Sequence, residues 1–390
     1  MSYDWTEALT PTDTKAWAAA LSGNGGLQTV GLRELDLNRS GKKLSSSDVA
    51  DYGLTTHSAQ AFKWNSGDDC TNQWRPQGIC GIRLNQPRLS MVAVSWYNHE
   101  KQVPNIDKGV RVSFVDVTPG SQRRFKYRHA LLVEKSGASN FEPVTVHAGG
   151  LGYSRGYLFV PDTYKGIRVF DLSLMLKGLS ADSSKTKCGF IDGAAYAFDY
   201  RYIVPQVYYY DGLYNGLKAS GMAEASGNRP KFSYLSMDWT DSERRILTGS
   251  YMDTGDFDSG KRPSAFLWKV SSEHGGRLDV GSTPRNIGIP TGYRRFRWIQ
   301  GAAISGSKLY ISRSTGLGIK RHTLSGSFNS DDYSVGVSQT DVAPQGEKSV
   351  LGFEDLHMSL NSDILWGLSE GNRGAAFIGD RIVFWLKGVR

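Results

Sequence analysis

An all-β fold is what this sequence predicts, and three observations carry the expectation. Glycines number 45 in 390 residues, and aromatics make up 12% of the chain with 19 Tyr and 10 Trp, a composition of strands and turns. Nearly every apolar segment is short, rich in Val, Ile, Tyr or Phe, and bounded by Gly, Asp, Asn or Pro. These segments also recur in a repeated order, a small-residue strand followed by two or three bulkier ones.

The one helix expected lies at the N-terminus. In "TPTDTKAWAAALSG", Thr10 stands as cap, Pro11 in the first turn and Asp13 three after the cap, with Gly23 closing the helix. Residues 40–55, rich in Ser, Lys and Asp, read as a loop. Five cycles follow, opening on "PQGICGIRL" (76–84), "HAGGLGY" (147–153), "KFSYLSMDW" (231–239), "WIQGAAISG" (298–306) and "GFEDLHMSL" (352–360). Second strands are expected at "SMVAVSWY", "GYLFVPDT", "RRILTGSY", "SKLYISRS" and "DILWGLSE", and third strands at "GVRVSFVDV", "GIRVFDL", "SAFLWKV", "GIKRHTL" and "DRIVFWLKG". Fourth strands fall at "YRHALLVEK", "YRYIVPQVYYY", around "RLDVGS" and at "YSVGVSQTDV".

The last cycle reaches Arg390 without its fourth strand, which is most simply donated by the N-terminal region, from "LQTVGLRELDL" or "SAQAFKW". Cycles of antiparallel strands closed by the opposite terminus describe a five-bladed β-propeller over 57–390, preceded by an N-terminal helix and closing segment over 1–56. The Gly and Ala of the first strands suit innermost strands converging on an axis. A six-bladed count would need "IDGAAYAFDY" (191–200) to open its own blade, and no third strand follows it before "KFSYLSMDW".

Composition narrows the function. Net charge is +8 with a pI near 9.2, and "RRFKYR" (123–128) and "RRFRW" (294–298) interleave basic and aromatic residues as a single-strand nucleic-acid platform does. The same period-two alternation describes a strand with one solvated face, and no nucleic-acid motif accompanies it. No apolar run approaches the length of a membrane-spanning helix. The expected partner is therefore a small-molecule substrate, with neither nucleic acid nor membrane. Cys70 and Cys80 are spaced so that a disulfide could join them, leaving Cys188 odd. Without CxxC or paired histidines there is no zinc ligand set, and neither GxSxG nor a P-loop occurs. "DTGDFDSG" (253–260) offers Asp253, Asp256 and Asp258 but departs from the EF-hand pattern and reads as a polar hairpin loop. No cofactor and no metal are expected.

In a propeller, residues at the starts of the innermost strands ring one mouth of the axis, where ligands bind. That position collects Gln77, His147, Gln300, Glu354, Asp355 and His357, and the ends of the second strands add Asp162, Arg313 and Glu370. Trp74, Trp96, Tyr97, Trp298 and Trp366 are candidate walls. Singly, such side chains also serve to bridge blades. Glu354, Asp355, Asp238 and Asp162 supply carboxylates for an acid and a base, which keeps a carbohydrate-active enzyme open. A non-catalytic propeller that binds glycan or protein is the other alternative.

The motifs "WRPQGI", "VSWY…KGVRVSFVDV…YRHALLVE", "HAGG…YLFVPDT…GIRVFDL" and "FEDLHMS…LWGLSE" resemble a family of secreted β-propeller proteins of actinobacteria and filamentous fungi, over roughly residues 57–390. The resemblance implies secretion, although "MSYDWTEALT" has neither the charged nor the apolar region of a signal. It further implies kinship with cofactor-free natural-product enzymes that close rings, including hetero-Diels–Alder additions. Such an enzyme needs a shaped apolar pocket and one or two donors where charge develops. His147, Arg313 and Gln300 would be the donors, with Glu354 and His357 beside them. Trp74, Tyr97 and Trp298 would be walls, and Gln77, Asp162 and Asp355 would bind substrate.

Overall fold

The structure, a computed structural model, describes residues 11–389 apart from 102–104, 179–184, 212–230, 240–242, 259–264, 280–281, 283–284, 289–295, 314–318, 326–331, 344–351, 361–362 and 372–380. Its strands group into five antiparallel four-stranded units. The first is Trp74–Leu84, Leu89–Asn98, Val110–Asp116 and Lys126–Ser136, and the second Gly152–Ser154, Tyr157–Asp162, Gly166–Asp171 and Tyr202–Asp211. Tyr234–Asp238, Arg245–Gly249, Ala265–Lys269 and Arg285–Gly288 make the third. Ile299–Ser305, Lys308–Arg313, Ile319–Ser325 and Asp332–Ala343 make the fourth. The fifth takes Phe353–Met358, Ile364–Ser369 and Ile382–Lys387 from the C-terminal end and its outer strand, Gln60–Lys63, from the N-terminal end. The innermost strands follow one another around a ring in which the fifth returns to the first. This is the β-propeller expected from the repeat, with five such units among the described residues.

Period-two alternation builds it, because each blade has apolar residues on both faces. In Leu89–Asn98, Val92, Val94 and Trp96 pack with the fifth blade's Leu368, Val383 and Trp385, whereas Met91 and Ala93 pack with Leu158, Val160 and Phe170 of the second. Five such apolar clusters fill the seams between blades. Near the axis the strands come too close for side chains. A Cβ on Gly150 would overlap the backbone of Leu235, and one on Gly301 the backbone of Asp355. The axis is therefore closed at this level rather than an open channel.

Of the two candidate closing strands, "SAQAFKW" takes the place, pairing Gln60–Lys63 with Ile382–Trp385. "LQTVGLRELDL" instead straps the rim, with Gln28–Thr29 paired to Leu176–Lys177 and Leu27, Val30, Leu32, Leu35 and Leu37 buried beneath. Other expectations need correction. The helix spans only Lys15–Ala20, because Pro11–Asp13 instead add an edge strand to Tyr208–Tyr210, and Thr10 lies outside the described residues. Within 40–55 a short helix, Ser46–Asp51, forms on a capping box of Ser45 and Asp48. The third blade's outer strand is Arg285–Gly288, since "RLDVGS" makes only an isolated bridge from Leu278 to Val270. "IDGAAYAFDY" contributes to a separate hairpin, Cys188–Ile191 with Ala194–Ala197, not to a sixth blade. The segment around Asp253 is a helical turn, Thr254–Asp258, and no group of metal-ligating side chains exists among the described residues. All three cysteines are free thiols: Cys80 is buried in an inner strand and Cys70 exposed.

Candidate functional site

Three of the expected residues meet in one recess where the innermost strands begin. Tyr97 ends the second strand of the first blade, Asp162 ends that of the second, and His147 leads into the second blade's inner strand. Together with Asp107, Thr145, Thr163 and Tyr164 they line an open recess of about 270 Å³. At Ala148 the chain turns through the left-handed region, φ 54°, an uncommon state for a residue with a Cβ. The exposed His147 just before it stacks on Tyr97, with ring centroids 4.5 Å apart and planes at 29°. Asp162 is held by Arg168, whose Nε donates at 3.1 Å and whose Nη2 forms an ion pair at 3.1 Å, and by the Tyr209 hydroxyl at 3.3 Å. All three contacts fall on Oδ2, and Oδ1 makes no side-chain hydrogen bond among the described residues.

The remaining candidates are placed differently. Gln300 Nε2 donates to Glu354 Oε1 at 3.5 Å, and Glu354 and Arg313 are buried. Trp298, half-buried with φ 58°, lies under the Arg297 guanidinium at 4.3 Å. Gln77, buried, spends its amide on its neighbour's carbonyl, Pro76 O, at 2.9 Å. Asp355, fully buried, acts across blades: its Oδ2 accepts from Ile79 N at 3.0 Å and Leu151 N at 3.2 Å, tying the inner strands of three blades together. Burial pushes its carboxyl well above the ordinary range, against the pull of those backbone N–H groups. Trp74 packs under Arg111, at 4.7 Å, rather than walling the recess. His357 stands at the opposite end of the fold, in a second recess described below.

Sequence reasoning missed a buried hub at the seam of the first and last blades. Asp68, on the short helix Ser66–Asp69, accepts from Arg111 Nη2 at 2.8 Å, Arg39 Nη1 at 3.1 Å, Tyr127 Oη at 2.6 Å and His129 Nε2 at 3.1 Å. His129 Nδ1 lies 2.8 Å from Ser113 Oγ, which also accepts from Trp96 Nε1 at 2.8 Å. Burial, then the Arg111 charge, bring His129 down to about 4, so it is neutral. Its Nε2–H therefore donates to Asp68 and its Nδ1 accepts from Ser113. This Asp–His–Ser order resembles a hydrolase triad, but Ser113 is 0% exposed and no substrate reaches it. It is a structural network.

Fold and recess together describe a β-propeller with a polar and aromatic recess at the entry to its inner strands. No family model matches the sequence, and no curated protein does. Among solved structures, a β-xylosidase, RS223, is similar at 10% identity with TM-score 0.37, covering 80% of this chain and 91% of that one. A GH43_1 enzyme from Xanthomonas citri gives 11%, 0.39, 81% and 88%, and a luciferin-regenerating enzyme 11%, 0.38, 84% and 95%. Likenesses of this strength carry no argument about chemistry, so the reading below rests on the recess.

Proposed function

We propose that the protein binds a saccharide in the recess of Tyr97, His147 and Asp162. The observation that carries this is the stacked Tyr97–His147 pair beside a carboxylate whose second oxygen has no partner among the described residues. An aromatic face takes the C–H face of a sugar ring, because the ring's negative quadrupole meets weakly positive hydrogens. Carboxylates and hydroxyls, here Asp107, Asp162, Thr145 and Thr163, bond the sugar's equatorial O–H groups. Ring-closing chemistry asks instead for an enclosed apolar pocket that excludes water. This recess is open, and carboxylates stand in its wall. Hydrolysis, if the bound sugar is cleaved, would draw its acid and base from Asp107 and Asp162.

The test is titration calorimetry with a panel of neutral oligosaccharides, together with an aryl-glycoside assay, on the wild type, Tyr97→Ala and Asp162→Asn. At least one saccharide should bind, and Tyr97→Ala should weaken it about tenfold, as expected for losing a ring face. No binding across the panel, or binding that survives both substitutions, overturns the reading. Turnover abolished by Asp162→Asn would extend it to an enzyme.

A further inference from the structure

We propose that a second recess, where the innermost strands end, binds a small aromatic anion: a flat ring carrying a carboxylate or phosphate. It measures about 470 Å³, within the range of ligand pockets. Arg83, Arg88, Arg155 and Arg244 line it, and no carboxylate does among the described residues. The four come from the hairpins joining first to second strands in three successive blades, so the fold itself gathers them. Arg244 Nη1 donates to Ser154 Oγ at 3.0 Å, and its guanidinium lies 5.3 Å from the Trp239 ring centroid. Burial, then the Arg155 charge, hold Arg244 below the ordinary arginine range. Guanidinium groups pair with carboxylate or phosphate in two-point contacts, and an anion here would relieve their mutual repulsion.

A neutral side chain also borders the recess. His357 lines it at 3% exposure, with its Nδ1 buried and without a hydrogen-bond partner among the described residues. Burial brings this histidine down to about 4, so it offers one donor and one acceptor rather than a charge. Gly81 makes room opposite it, since a Cβ there would lie 2.7 Å from Nε2. Trp239 and Trp366 provide faces for the ligand's ring.

Benzoate, phenyl phosphate and neutral benzyl alcohol are titrated into the full chain by calorimetry, with tryptophan quenching as a second readout. One or both anions should bind at one site, and the preferred anion identifies the headgroup. Arg83→Ala combined with Arg88→Ala removes two exposed charges at little risk to folding. It should weaken that binding about tenfold or more, the effect of losing one charge-assisted hydrogen bond. Benzyl alcohol binding as well as the anions, no anion binding, or affinity unchanged in the double variant overturns the proposal.

Discussion

Replacing Asp68 by asparagine keeps the shape of the hub and removes the carboxylate charge at its centre. Burial alone would raise the Asp68 carboxyl, but Arg111, His129 and Arg39 override it and hold the group well below the usual carboxylate range. In the variant, His129 still finds an oxygen acceptor. Arg111 loses its counter-charge: its side chain is 5% exposed, and its remaining partners are neutral, the amide oxygen at position 68, the Tyr200 hydroxyl at 3.5 Å and the faces of Trp74 and Trp96 at 4.7 and 4.8 Å. Breaking one half of a buried ion pair costs about 3–5 kcal/mol, because the surviving charge stays in a poor solvent. The half-exposed Arg39 contact adds little to that figure. Urea unfolding followed by tryptophan fluorescence should show a loss of this size for Asp68→Asn. Adding Arg111→Met should restore part of it, since the stranded cation is then gone. A loss below about 1 kcal/mol, the worth of a surface pair, or no recovery in the double variant would refute the account.

Two further tests address the histidines and the axis. His129 and His357 are both brought down to about 4 by burial, while an unfolded histidine titrates near 6.5, so the unfolded chain takes up protons first as pH falls. Their contribution is complete above the unfolded value and is lost as pH drops toward the folded one, roughly 2 kcal/mol per histidine between pH 7 and pH 5. Unfolding free energies at those two pH values should therefore differ by about 2 kcal/mol less in His357→Phe than in the wild type; equal differences would count against a neutral buried imidazole. At the axis, Gly301→Ala drives a Cβ into the Asp355 backbone and should cost about 2 kcal/mol or more as overpacking. An unchanged melting temperature by calorimetry would mean that the inner strands are looser than described.

The blades were legible because each strand must satisfy two seams at once. Ala61 packs toward the fourth-to-fifth seam and Phe62 toward the fifth-to-first, and "SAQAFKW" shows that alternation. "LQTVGLRELDL" is equally apolar, and only its three-dimensional neighbours reveal a strap. Local signals failed where a tertiary partner won, as when the open edge at Tyr208–Tyr210 drew Pro11–Asp13 out of a helix. Tyr97, His147 and Asp162 fall in one recess because strand starts and ends are positions that the repeat carries to one end of the blades. Asp68 and Asp355 had roles no pattern exposes: Asp355 answers to Ile79, 276 residues away, and Asp68 looks like any acid in a polar turn. The arginine recess differs from both. Arg83 and Arg88, Arg155, and Arg244 occupy the same junction, inner strand to second strand, in three consecutive cycles. The repeat puts those junctions in register, at the opposite end of the blades from the strand positions that mark His147 and Asp162. A basic residue returning at one junction is a one-dimensional signal for charge gathered at one end of a ring, because the fold carries equivalent junctions to the same face.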